Sequence, residues 1–213
     1  FKQQIIKAKY IKKPKDYKTW IKQFKKYDFN SADKNEYIAE ALGVISHALK
    51  EIKGFGLRDV QILSILIFIE NNENQEVEKN NLNKNLINDN ENKKSKLSKK
   101  DNKDNGKGII EEILPGEGKS VIISCLSIYY GLRNRKVDII TISKDLAIQD
   151  SFEYKKLYHI FDLTVNYIRD FDSEPYKADI LYGTFLDFEG DLLYDLSHNK
   201  NIRNNRPFDI III

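Results

Sequence analysis

The chain of 213 residues contains no methionine and a single cysteine, Cys125. Beginning at Phe1 without an initiator, it reads as a piece of a longer translation product. One cysteine excludes an internal disulfide framework, which fits a reducing compartment. Long apolar runs are missing as well. The stretch from Ile62 to Ile69 falls far short of the roughly 20 residues that cross a bilayer. The basic amino terminus lacks the continuous apolar core of a secretory signal. These absences predict a cytoplasmic location, or a peripheral one on a membrane. No charge of one sign dominates: 35 Lys and Arg against 32 Asp and Glu leave a net +3, which gives no general argument for nucleic acid or an acidic surface. His47, His159 and His198 stand far apart without metal-ligand spacing, and no serine sits in a nucleophile-elbow context. Neither a metal centre nor a hydrolase triad is expected.

What is present divides the chain by pattern. Tyr17, Trp20, Ile21 and Phe24 fall on one face of a helix. Asp33 with Glu36 three residues later predicts a capping pair that opens a second helix through Leu49. Gly54 and Gly56 punctuate the chain, and an apolar helix from Asp59 to Ile69 follows. Residues 71–107 are dominated by Asn, Lys, Glu and Asp, too polar to offset their ordering entropy, and predict a disordered insertion. From Gly108 the pattern is α/β. Strands are expected over Ile109–Leu114, Val137–Ile142, Leu163–Ile168, Asp179–Tyr182 and Phe208–Ile213, and helices over Lys119–Leu132 and Leu146–Phe161. Strands that alternate with helices and lack in–out alternation predict a parallel sheet covered on both faces. The organisation read from this is an N-terminal helical segment, 1–53, followed by an α/β domain, 54–213.

One stretch carries chemistry. A strand expected over Ile109–Leu114, then Pro115, Gly116, Glu117, Gly118, Lys119 and Ser120, then an apolar helix is the context that a phosphate-binding loop requires. Gly116 and Gly118 permit backbone angles that turn successive N–H groups inward around phosphate oxygens. The helix adds its unpaired N-terminal N–H groups and positive dipole end. Lys119 is expected to reach the β- and γ-phosphates of ATP, and the Ser120 hydroxyl to ligate Mg²⁺. The motif's usual first glycine is Ile113 here. Cys125, inside the apolar helix, reads as a packing residue.

The form Gly-Glu-Gly-Lys-Ser resembles the Walker A loop of the SecA family of protein-translocase ATPases, which has T-G-E-G-K-T and also lacks the first glycine. Upstream, Phe55-Gly56-Leu57-Arg58-Asp59-Val60-Gln61 resembles the family's F-G-M-R-H-F-D-V-Q, shortened by two residues. The resemblance implies that Gln61 pairs with the adenine edge; Arg58 is displaced, and no role carries over to it. Downstream, Ile140 to Asp150 is similar to V-T-V-N-D-Y-L-A-R-R-D, matching at Leu146, Ala147 and Asp150. Ala178 to Thr184 is similar to C-D-I-T-Y-G-T, and its continuation keeps Phe188, Asp191, Leu193 and Asp195. Phe208 to Ile213 resembles the strand leading into D-E-V-D. The resemblance covers 36–70 and 108–213. It implies the first RecA-like P-loop NTPase domain of a motor, with ATP, an unfolded polypeptide substrate and a membrane translocation channel as partners. Three family arginines are Ile148, Gln149 and Tyr194 here, with Lys144, Lys155 and Arg169 nearby to substitute.

Hydrolysis needs an aspartate for Mg²⁺ and a carboxylate for the attacking water. Asp179 and Asp209 stand at the start of their strands, whereas α/β sheets bind ligands at the carboxyl ends. Weak nucleotide binding without turnover is therefore expected of this stretch. Two other readings stay open: a superfamily-2 nucleic-acid helicase, although its usual P-T-x-E-L-like segment is Ser143-Lys144-Asp145-Leu146-Ala147 here, and a catalytically dead interaction domain. The lysines at 12, 13, 15, 18, 22, 25 and 26 with Trp20 read either as a solvated helix face or as a patch for anionic lipid, ahead of nucleic acid. Asp170 to Glu174 reads as a loop.

Overall fold

The computed structural model describes residues 1–73, 108–170 and 172–213. Three helices open the chain: α1 (Lys2–Tyr10), α2 (Tyr17–Phe24) and α3 (Lys34–Lys53). The apolar spacing predicts α2 correctly. Asp16 caps it by accepting from the N–H groups of Lys18 and Thr19, and Trp20, Ile21 and Phe24 are buried. The capping pair expected at Asp33 and Glu36 does not form. Asp33 has φ −83° and ψ 0° and makes no side-chain cap hydrogen bond, because an N-cap side chain reaches N2 or N3 from an extended backbone. Glu36 pairs instead with Lys7 of α1.

A fourth helix, α4, occupies residues 59–73 and so runs past Ile69 into the stretch expected to be disordered. Glu73 is only 5% exposed. Its carboxylate accepts from the Tyr129 hydroxyl at 3.0 Å and from Arg133 at 2.5 Å, and it pairs with Lys34. Those partners offset the desolvation of a buried carboxylate. The rest of that expectation, 74–107, lies outside the described residues. The strand expected over Ile109–Leu114 is also absent, since residues 108–114 have no regular structure. A strand needs a ladder partner for its backbone groups. This segment is anchored by side chains: the Ser64 hydroxyl donates to Glu111 at 2.7 Å, and Ile113 packs on the core.

The rest is α/β: α5 (Lys119–Leu132), β1 (Val137–Thr141), α6 (Lys144–Glu153), α7 (Lys155–Ile160), β2 (Val165–Tyr167), a 3-10 turn (Glu174–Lys177), β3 (Ile180–Thr184), α8 (Phe185–His198) and β4 (Ile210–Ile212). The helix expected over Leu146–Phe161 is two helices, because Tyr154 leaves helical geometry at φ −100°, ψ 2°. The four strands lie in the order β2-β3-β1-β4, and every pairing is parallel. Side chains alternate between faces, and both faces are covered. Val137, Ile139, Ile180 and Tyr182 join the main core with α2 to α5 and α7, while Leu181 packs on the other face with Ile168, Tyr176 and Phe188. Strand and helix thus alternate in a parallel α/β fold consistent with a RecA-like domain, preceded by helices.

The amino ends of the strands are clipped together by one side chain. Arg206 donates to Asp138 of β1 at 2.7 Å and to the carbonyls of Tyr176, Ala178, Val137 and Asp179. Its side chain is 1% exposed and that of Asp138 3%. Among the described residues, no helix is long and apolar enough to cross a membrane.

Candidate nucleotide-binding site

The loop that the sequence singles out is a turn running into a helix. The Glu117 N–H donates to the Leu114 carbonyl at 3.2 Å, which closes the chain over Leu114–Glu117. Gly116 has φ 84° and Gly118 φ 81°, in the left-handed region that glycine occupies at no steric cost. Gly118 is the N-cap of α5, and its carbonyl accepts from Val121 and Ile122. A Cβ at Gly118 would also stand 2.6 Å from the Gln61 amide nitrogen and would displace that side chain. The first N–H groups of α5 have no partner within the helix and carry its positive dipole end. Lys119 is exposed and Ser120 partly so, side by side at that end. The start of α5 thus leaves main-chain N–H groups open with the exposed Lys119 beside them, and a helix start of this kind suits an anion.

Two residues from the start of α4 hold the loop from the side. Gln61, 3% exposed, donates to the Glu117 carbonyl at 2.9 Å and accepts from the Arg58 N–H at 3.0 Å. The Arg58 guanidinium donates to the same carbonyl at 2.7 Å and sits 3.0 Å from the Glu117 carboxylate. Sequence reasoning left Arg58 without a role. Its spacing of three residues from Gln61 was the available signal, because it makes the Gln61 side chain the N3 partner of a helix start.

Asp179 and Asp209 are at the amino ends of β3 and β4, as their positions in the sequence predict. Asp179 takes Lys136 at 2.9 Å and the Thr164 N–H at 2.9 Å, and Asp209 accepts from the Lys136 N–H at 2.9 Å. Burial works to raise the Asp179 carboxyl, but the Thr164 and Lys136 bonds outweigh it and hold it below its ordinary value. Both acids therefore serve the fold. Cys125 is buried in α5, and that burial pushes its thiol up to about 12, in keeping with packing.

Two cavities of about 230 and 190 Å³ lie away from the loop. The larger is lined by Lys144, Ile148, Tyr167, Arg169, Asp170 and Asp187. The basic residues near the three departures are engaged locally. Lys144 pairs with Asp170 at 2.7 Å and Asp187 at 3.2 Å, Arg169 pairs with Asp172 at 3.0 Å, and Lys155 lies over the Phe152 ring. Tyr194 stacks on His198 at 4.3 Å. His47 bonds the Ile11 carbonyl at 2.7 Å. Among the described residues no group of three or more His, Cys, Asp or Glu could hold a metal. The N-terminal lysines at 12, 13, 15, 18, 22, 25 and 26 are exposed. Trp20 does not join them at the surface: it is buried and donates to Glu40 at 2.7 Å.

Comparison with known proteins agrees with this architecture. The chain is 33% identical over 112 residues to the protein translocase subunit SecA of Clostridium beijerinckii, covering 50% of this chain and 13% of that protein. It is 33% identical over 115 residues to that of Helicobacter pylori strain Shi470, covering 49% and 13%. With the Legionella pneumophila strain Corby subunit the identity is 37% over 93 residues, covering 41% and 10%. The chain therefore spans about an eighth of the length of the first of these relatives. A family model, the SecA DEAD-like domain, matches residues 6–213. With its helical prelude, glycine loop and parallel sheet in that order, this chain belongs to the SecA DEAD-like domain family.

Proposed function

We propose that residues 116–120 bind the triphosphate of ATP with Mg²⁺, and that the chain is the nucleotide-binding portion of a SecA-like motor for protein translocation. The observation that carries this reading is the pair of left-handed glycines, Gly116 and Gly118, leading into the N-terminus of α5. Main-chain N–H groups of 116 and 118–120 would take the phosphate oxygens, with that of Glu117 held by Leu114; the Lys119 ammonium would offset the charge of the terminal phosphates, and the Ser120 hydroxyl would ligate Mg²⁺. Pairing of Gln61 with the adenine edge requires its carboxamide to turn away from Glu117 and Arg58, where it is bonded now. The relatives are named as protein translocase subunits, which supports an unfolded polypeptide and a membrane translocation channel as partners of the whole motor. The exposed lysines before and on α2 form the face for anionic lipid.

Titration with a fluorescent ATP analogue in Mg²⁺ tests the site. The wild-type chain should bind, and Lys119→Ala should bind at least about tenfold more weakly, the scale of removing one charge-assisted hydrogen bond. Equal affinity of the two proteins would refute the site.

A further inference from the structure

A carboxylate inside a loop built for a polyanion is electrostatically misplaced. Glu117 sits between the two left-handed glycines, where its charge would oppose a triphosphate held by the loop. Arg58 reaches across 59 residues of sequence to meet it, 3.0 Å from the carboxylate and 2.7 Å from the main-chain carbonyl of the same residue. Gln61 donates to that carbonyl at 2.9 Å, and its own oxygen fixes the Arg58 N–H at 3.0 Å. Two side chains thus lock one peptide of the loop. Arg58 and Glu117 are 53% and 34% exposed at their side chains, and ion pairs so open to water add little to folding stability.

Resting on the phosphate-site reading above, we propose that Arg58 is a positioning residue for the nucleotide: it neutralises Glu117 and fixes the Glu117 peptide so that the cradle of N–H groups is formed, and its acid is offset, before the triphosphate arrives. Arg58 stands at the start of α4, three residues before Gln61, where its N–H meets the Gln61 side chain.

The test is a double-mutant cycle on the full chain, read by Mg²⁺–ATP-analogue titration at low and high salt, with melting temperatures to confirm folding. Arg58→Ala should weaken binding about tenfold, since it leaves a bare carboxylate in the loop. Glu117→Gln alone should tighten it about threefold, and Arg58→Ala/Glu117→Gln should return to within about threefold of the wild type. The Arg58→Ala deficit should shrink as salt rises. Arg58→Ala binding like the wild type would overturn the proposal. A double variant as weak as Arg58→Ala would overturn it too, since Arg58 would then act without offsetting the Glu117 charge. Should Lys119→Ala bind as tightly as the wild type, the phosphate site itself falls and this proposal with it.

Discussion

Arg206 shows how much of this fold rests on a single side chain. It is the buried partner of Asp138, 68 residues away, and its remaining donors meet carbonyls at the amino ends of β1 and β3. Burial holds the Asp138 carboxyl above its ordinary value, although Arg206 pulls the other way. Arg206→Met keeps the volume of the stem and removes the charge, leaving that carboxyl buried and unpaired. The expected loss is about 3–5 kcal/mol at neutral pH, measured by urea unfolding. The pH dependence has a definite sign. Without Arg206 the folded-state pKa of Asp138 rises further above its unfolded value, so the folded variant binds the proton more tightly than the unfolded chain. Its deficit against the wild type should therefore be largest at neutral pH and narrow as pH falls toward the unfolded value near 3.9. A deficit that stays constant between pH 7 and pH 4 would show that the carbonyl contacts, not the charge, are what Arg206 supplies.

Among the elements, α1 and α3 meet at a contact that admits no larger residue. Ala8, the one buried residue of α1, lies over Gly43 in the middle of α3. A Cβ at Gly43 would stand 2.5 Å from the Ala8 carbonyl oxygen and 2.5 Å from the Ile11 Cβ, and the backbone cannot give way as a flexible side chain would. Gly43→Ala should cost about 1–3 kcal/mol by overpacking. The cost should fall locally: trypsin should cut more quickly around Lys7, Lys9, Lys12 and Lys13, with the α/β part still protected. Unchanged cleavage there would mean that the two helices simply shift apart. The elements also show why some of the fold was legible and some was not. Helices α2 and α5 could be read almost to the residue, since their apolar period and stop signals are local. The run 109–114 has the composition of a strand, yet a strand exists only with a neighbour, and the strand order β2-β3-β1-β4 does not include it. Glu73 looks like part of a polar insertion until Arg133 and Tyr129 are folded onto it from 56 to 60 residues away. The glycines, Lys119 and Ser120 of the candidate site were legible for the same local reason as the helices. The Arg58–Glu117 contact was not, because it depends on the close approach of two distant helix starts.

At the scale of the whole molecule, the helical segment 1–53 and the α/β segment 54–213 differ in pattern but share a core. A single cluster of buried residues runs from Ala8 through Trp20, Leu42 and Leu66 to Tyr158 and Tyr182. Trp20 stands where the two parts meet. Its ring stacks on Phe24 at 5.0 Å and meets Phe161, beyond α7, edge-on at 6.3 Å, while its N–H donates to Glu40. Lys53 at the end of α3 reaches Glu153 at the end of α6, 2.8 Å away. Exposing that shared apolar surface would cost either part much of its hydrophobic stabilisation, so we expect the two to unfold together. Trp20 is the only tryptophan, which makes its fluorescence a report on the junction, while far-UV circular dichroism follows the helices throughout. The two signals should trace one urea transition with the same midpoint, as a two-state unit requires. A tryptophan transition that precedes the loss of helix by a resolvable interval would show that the N-terminal helices detach as a separate unit.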